Sequence, residues 1–534
     1  MKKSTLSIII IALFILGLNP NSFAQNKGIK YKYQLLKAKS KFSDEDFNGA
    51  MRLLRVMAEK YQNDAGVNFL LAECFYETHS YENAIEHYEI SKQTNPNYNK
   101  LLYLELGQCY QAMGNLDKAL KEYETYNQKL ITDKEKKDSS GYKQIEQINF
   151  AKLMMSKPLN VNITNLGLSV NSIYTDAAPC ISADGKTLIF TSRRPDNKGG
   201  GIDPNTGNYF DDIYISKWDD SKQSWSEAVP VDELNTEGFD ASLSLSTDGN
   251  TLFIYRNIPK ETKSGDIYFS KKKDEKWSAP KAFESPINSS FFESSACLSP
   301  DGNTLYFISE RKKGLGNGDI WKTTKISSTE WGEPVNLGPT INTPEDEIGI
   351  FIHPDGQTLY FSSKGHNSMG GYDIFKCKFE NGNWSKPENI GYPINTTKDE
   401  IHFVIRADNK KAYVSAKKEN GNGEYDIYEI DLSNCKMFNN NAVVSEVSII
   451  KGKVSTSSNE NIEGAKLTFI NTASKEVYTI NTDENGEYFL TLPAKVEYQL
   501  TIEKEGYKNQ EQKVRLEYDS QQIKTNVQDI IISK

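Results

Sequence analysis

Apolar positions along this chain follow two rhythms. Between residues 28 and 157 they recur three and four apart, as at Leu71, Ala72 and Phe75 and again at Leu106, Gly107 and Tyr110, which is the spacing of a buried helix face. Over 158–432, and again over 447–534, short runs of β-branched and aromatic residues are punctuated by Asp, Asn and Gly, the pattern of strands joined by tight turns. The expectation is a multidomain chain: helical hairpins at 28–157, a β array at 158–432, a linker at 433–446 and a β-sandwich at 447–534. At 534 residues the chain is too long for a single core, in keeping with that division.

The β array is the most regular part. An Asp-Gly or its equivalent opens each of five copies, at Asp184, Asp248, Asp301, Asp355 and Asp408, and in four of them Thr-Leu and an aliphatic or aromatic run follow. Each copy then carries Asp-Ile, at Asp212, Asp266, Asp319, Asp373 and Asp426, spaced 54, 53, 54 and 53 residues apart. A period near 50 built from short strands predicts a five-bladed β-propeller with four strands to a blade. In the third copy these strands are expected at 295–299, 304–309, 319–325 and 331–337. Trp225, Trp277, Trp331 and Trp384 mark the outer strand of copies one to four. Copy five has no such residue, but Asn165-Leu166-Gly167 matches Asn336-Leu337-Gly338 and Asn389-Ile390-Gly391, so a strand near 159–167 is expected to complete it. The Asp-Gly-x-Thr-Leu runs resemble the WD40-like repeat of periplasmic propellers such as TolB. Ten extra residues in copy one, within 195–210, read as a surface loop; Asp203, Asn205 and Gly207 in it lack the calcium-loop ligand pattern.

A second repeat runs through the same copies. Asn171, Asn235, Asn288, Asn342 and Asn395 each stand five residues before an acid, at Asp176, Asp240, Glu293, Glu347 and Glu400. These acids open the inner strands and are expected to ring one mouth of a channel, facing Arg193, Arg256, Arg311, Lys364 and Lys417 at the ends of the second strands. Acid–base pairs within each blade are the simpler reading; a charged rim gripping a partner loop or a cation is the sharper one. Catalysis by a carboxylate couple needs two acids in unlike environments, which a fivefold repeat does not supply. His366-Asn367-Ser368-Met369-Gly370 lacks the first glycine of a nucleophile elbow. No catalytic residue is assigned.

In the helical part, Leu71-Ala72, Phe75, Ala84 and Tyr88 recur 35 residues later as Leu106-Gly107, Tyr110, Ala119 and Tyr123. Small residues at 72, 107, 84 and 119 let paired helices approach closely. Phe47, Ala50, Leu54 and Met57 fit the second helix of an earlier copy, but Lys37 and Lys41 occupy first-helix positions that are apolar elsewhere, so no helix before Phe47 is firmly expected. Residues 141–156 read as a closing helix. The pattern resembles the tetratricopeptide repeat, which implies a concave face for peptides or partner helices; the register puts Glu73, Tyr76, Gln108 and Gln111 there. The alternative is that the short array only packs against the β region.

Composition and charge narrow the function. With 29 Tyr, 24 Phe and 35 Gly the chain is a folded, β-rich one. Its net charge of −9 argues against bulk attraction to nucleic acid or anionic lipid. Residues 1–24 read as an export signal: Lys2-Lys3, an apolar stretch from Leu6 to Leu18, and Ser22-Phe23-Ala24. The stretch is too short to span a membrane, so no transmembrane span is expected once it is cleaved. Cys74 and Cys109, and likewise Cys180 and Cys297, fall at repeat-equivalent places, as small buried apolar residues do. No Cys/His spacing suggests a metal, and no cofactor is expected.

Beyond 447, six alternating strands with Gly452, Gly464-Ala465, Asn485-Gly486 and Glu505-Gly506-Tyr507 resemble the carboxypeptidase regulatory-like domain, a transthyretin-like β-sandwich. Export signal, tetratricopeptide repeats, WD40-like propeller and regulatory-like sandwich, in this order, resemble the PorE-like periplasmic proteins of the type IX secretion and gliding machinery. That resemblance implies a non-catalytic periplasmic scaffold, peripheral to the outer membrane, whose partners are other envelope proteins. Members of the family normally continue into an OmpA-like domain that binds peptidoglycan; no such segment is recognised here, so peptidoglycan binding is not expected. The alternatives are a propeller enzyme acting on glycan or peptide, or an envelope glycan- or peptide-binding protein.

Overall fold

A computed structural model describes residues 28–534 apart from 131–139, 204–206, 259–264, 274, 328–329, 420, 440–446 and 519–522. The expected export signal, Asn205 and the second half of the expected linker lie outside these residues. The chain forms two units, divided between Lys152 and Leu153.

The first unit is a row of helical hairpins: α1 (Ile29–Ser43), α2 (Phe47–Lys60), α3 (Ala65–Glu77), α4 (Tyr81–Thr94), α5 (Leu101–Ala112) and α6 (Leu116–Gln128), with α7 (Ser140–Met155) beginning in it. Close approach depends on the small residues: a Cβ on Gly107 would sit 2.5 Å from the Tyr123 ring. Ala72, Ala84 and Ala119 are fully buried with Leu71, Leu106, Tyr88 and Tyr123. Helix α1 forms despite Lys37 and Lys41. It buries Tyr31 and Ala38, Tyr31 Oη donates to Asp64 at 2.6 Å, and Lys37 is left exposed. Lys41 pairs with Asp46, whose carboxylate also caps α2 by accepting from Gly49 N. Two lysines are therefore tolerated because one reaches solvent and the other an N-cap.

The second unit begins with five antiparallel sheets. Their first strands are Asp176–Ile181, Phe239–Leu245, Glu293–Leu298, Glu347–Ile352 and Glu400–Ile405; each packs against the next, and the last packs against the first. The Asp-Gly turns join first to second strands: Asp184 accepts from Ser182 Oγ and Lys186 N, and Gly185 takes φ 72°, which glycine adopts without strain. Continuous outer strands were expected; instead two short pieces flank a proline in the second sheet, Lys276–Trp277 and Lys281–Ala282 on either side of Pro280, both pairing with Asp266–Lys273. Proline has no N–H for a continuous ladder. In the fifth sheet the outer strand is Asn162–Asn165, which runs antiparallel to Asp426–Asp431 with Ile163 opposite Ile430.

Two further sheets form the C-terminal sandwich. Val447–Ser455 pairs with Glu487–Pro493 and, in parallel, with Lys524–Val527 and Ile530–Ile531; Lys466–Asn471 lies between Val477–Asn481 and Glu497–Glu503, which pairs with Gln510–Arg515. Ile450, Leu467, Phe469, Tyr498 and Leu500 fill the space between them. The first part of the expected linker is packed rather than free: Cys435 and Phe438 join Leu432, Phe403 and Tyr428 in the core of the fifth sheet. The sandwich lies against the far ends of the inner strands, where Ala183 and Ala407 meet Val447, Ile449, Phe489 and Ile523.

Candidate functional site

Polar residues of α3 and α5 meet on one face of the helical unit. Tyr76 Oη donates to Gln108 Oε1 at 3.1 Å, joining the two helices across 32 residues. Glu73 lies beside them, and its carboxyl is raised well above the usual range by burial and by the Glu105 and Glu77 carboxylates. Glu105 accepts from Tyr88 Oη at 2.8 Å and is pushed up to about 7, mainly by burial. Gln111 does not line this face. It is buried and accepts from Tyr123 Oη at 2.7 Å, because the turn at Gly114 folds α6 back over the end of α5. Glu105 was missed; it stands one helical turn before Gln108, a spacing the sequence already offers.

The repeated acids of the five sheets are not an open rim. Asp176, Asp240, Glu293, Glu347 and Glu400 are all fully buried. Each accepts the hydroxyl and the N–H of the Ser or Thr that follows the repeated Asn: Ser172, Thr236, Ser289, Thr343 and Thr396. Those hydroxyls are repeated as strictly as the acids and were the overlooked signal. The Asn side chains tie neighbouring sheets together, each bonding the N–H and carbonyl of one Ile: Asn171 with Ile427, Asn235 with Ile213, Asn288 with Ile267, Asn342 with Ile320 and Asn395 with Ile374.

The bases differ from the expected set. Arg256 and Arg311 pair with Asp240 and Glu293 at 2.5 and 3.3 Å. In the first sheet Arg194, not Arg193, pairs with Asp176, at 3.1 Å, while Arg193 turns to Asp211 at 2.8 Å. Lys364 lies over the Tyr372 ring and Lys417 pairs with Glu424 at 3.9 Å, so neither neutralises the inner acid of its sheet. The fivefold set is defined by which base lies against the aromatic of the third strand: Arg194 over Tyr214, Arg256 over Tyr268, Arg311 over Trp321, His366 tilted against Phe375 and Lys418 over Tyr428. Sequence spacing misplaced it because the base lies within the second strand at Arg256 but two or three residues beyond it at Arg194, Arg311, His366 and Lys418, and a shift of one residue reverses the direction of a side chain.

Asp240, Glu293, Glu347 and Glu400 also neighbour the Asp of the preceding sheet's third strand. Asp212 is pushed up to about 7 by burial and then by Asp240, and Asp373 is raised by burial and Glu400. These Asp residues are held by backbone donors, as Lys198 N holds Asp212 at 2.7 Å. At the opposite end of the inner strands, a cavity of about 30 Å³ is lined by residues including Ser182, Ser244, Phe351 and Arg406. That is room for about one water, against the roughly 300–1,000 Å³ of small-molecule sites. The six cysteines are buried and unbridged. Among the described residues no group of His, Cys, Asp and Glu is arranged to hold a metal, and no helix is long and apolar enough to cross a membrane.

Residues 449–528 match the family profile of the carboxypeptidase regulatory-like domain, and the C-terminal sandwich is a domain of that kind. No curated protein matches the chain. Among solved structures, it is similar to the type III secretion chaperone SycD of Yersinia enterocolitica in complex with a peptide of the translocator YopD: 14% identity, 24% of this chain, 99% of that one, TM-score 0.23. The TPR2B domain of yeast Sti1, in a complex with pHsp70, matches at 20% identity over 23% of this chain and 95% of its own, TM-score 0.20. Catechol 1,2-dioxygenase of Acinetobacter radioresistens matches at 16% identity over 17% of this chain and 52% of its own, TM-score 0.15.

Proposed function

We propose that the chain is a non-catalytic scaffold of the periplasm, built from tetratricopeptide-type hairpins, a five-bladed WD40-like propeller and a regulatory-like sandwich. The observation that carries this reading is the fate of the repeated ionisable groups. Every inner acid is buried and spent on hydroxyls, backbone amides or a neighbouring cation. A carboxylate couple for hydrolysis needs access to substrate and water, which such enclosure denies. The half-buried Glu73, Tyr76, Glu105 and Gln108 of the helical unit are the polar groups left facing outward for a partner. The order of domains supports a PorE-like role beside the type IX secretion or gliding machinery, with envelope proteins as partners. Crosslinking in the intact envelope tests it. Recovery of a secretion or outer-membrane protein, lost in a Glu73→Lys, Tyr76→Ala double variant, is expected. Recovery of no such protein overturns the machinery assignment, and turnover of envelope glycan or peptide by the purified chain overturns the scaffold itself.

A further inference from the structure

One of these five bases differs in kind from the rest. In the first three sheets an arginine does three things at once. It pairs with the inner acid, stacks on the aromatic of the third strand, and donates to the carbonyl preceding the repeated Asn: Arg194 to Val170, Arg256 to Leu234 and Arg311 to Ile287, each at 2.5 Å. In the fourth sheet His366 takes over two of these tasks. Its Nε2 is 2.8 Å from the Ile341 carbonyl, and its ring centre is 5.1 Å from that of Phe375. Among the described residues no cation pairs with Glu347, which is held instead by Thr343 Oγ1 at 2.7 Å, Ser363 Oγ at 2.8 Å and Thr343 N at 3.1 Å.

We propose that the seam between the third and fourth sheets is a pH-sensitive latch, closed while Glu347 carries a proton and loosened when it ionises with no permanent cation beside it. The three donors favour the ionised group, but burying a carboxylate with no counter-ion beside it outweighs them. The groups around it sharpen the effect. Asp319, on the third strand of the third sheet and bonded by Asn336 Nδ2 and the N–H groups of Leu315 and Gly316, adds a like charge, and Asp346 precedes Glu347 in the chain. Burial raises Glu347 to about 8, and burial, reinforced by Lys386, keeps His366 below its ordinary range. Lys364, in the same loop, is engaged with Tyr372.

With the folded value of Glu347 above the unfolded one, the closed seam holds a proton that the open seam releases. Closure therefore weakens as pH rises toward 8. Hydrogen exchange of the intact chain, corrected for intrinsic rates, reads this directly by comparing 343–366 with a second segment, 466–481 of the C-terminal sandwich, which contains no inner acid. Protection of the fourth-sheet segment should fall relative to the second by about tenfold per pH unit between pH 6 and 8. His366→Arg should flatten that ratio by supplying a fixed charge, and Glu347→Gln should flatten it by removing the titrating group even if the arginine variant does not fold. A ratio independent of pH in the unaltered chain, or an undiminished pH dependence in Glu347→Gln, overturns the latch.

Discussion

At the scale of single residues, burial decides what each charge is worth. Arg256 and Asp240 are 8% and 0% exposed, so removing the cation strands a buried carboxylate. Arg256→Ala is expected to destabilise the β unit by about 3–5 kcal/mol. Adding Asp240→Asn should return much of that loss, read by Trp fluorescence during denaturation. The pair Lys271–Glu484 is a counter-example: both partners are more than half exposed, and Lys271→Ala should change stability by less than about 1 kcal/mol. In the helical unit the sign reverses. Glu105 is raised to about 7, so the folded state keeps a proton that the unfolded chain gives up. Its contribution is fully present below the unfolded carboxyl value near 4.5 and is lost as pH rises through 7. Circular dichroism melts from pH 5 to 8 should show the helical transition falling in temperature, and Glu105→Gln, which still offers Tyr88 an acceptor, should flatten the fall.

At the scale of elements, closure matters more than propensity. Asn162–Asn165 is only four residues long, yet it covers the outer edge of Asp426–Asp431, and Asn165 bonds Asp426, Gly167 N and Asn171. Replacing those four residues by a Gly-Ser stretch of equal length exposes that edge and unties the Asn165 bonds. Higher-order association, measured by size-exclusion chromatography with light scattering, is the expected result. Gly107 illustrates the same point for helices. The added methyl of Gly107→Ala meets the Tyr123 ring, so a substitution that favours an isolated helix should lower the melting temperature of the hairpins. Much of this was legible in the chain. The 35-residue shift marked the hairpins, and the Asn-Leu-Gly match marked the closing strand, since both are local patterns repeated at a fixed interval. Helix α1 was not legible, because the fates of Lys37 and Lys41 depend on solvent and on the Asp46 cap rather than on their own periodicity.

At the scale of the whole molecule, the sandwich and the five sheets form one unit through a small apolar contact among Ala183, Ala407, Val447, Ile449, Phe489 and Ile523. Ile449→Asp places a charge at its centre and should release the sandwich, seen as an increased radius of gyration in small-angle scattering with the strand content unchanged. The amino-acid order by itself determined the repeat lengths, the turns and the place of each inner acid at the start of its strand, because these follow from local patterns repeated at a fixed interval. Only the tertiary structure decided which base faces which acid. The distance from strand end to clamp varies from sheet to sheet, and a side chain's direction reverses with a single residue, so Arg194 rather than Arg193, and His366 rather than Lys364, turn inward. It also decided that the acids lie inside the molecule. Neighbouring sheets close over them and their Ser and Thr partners bind them there, so a row that reads in one dimension as a charged rim becomes, when folded, the polar fastening between sheets.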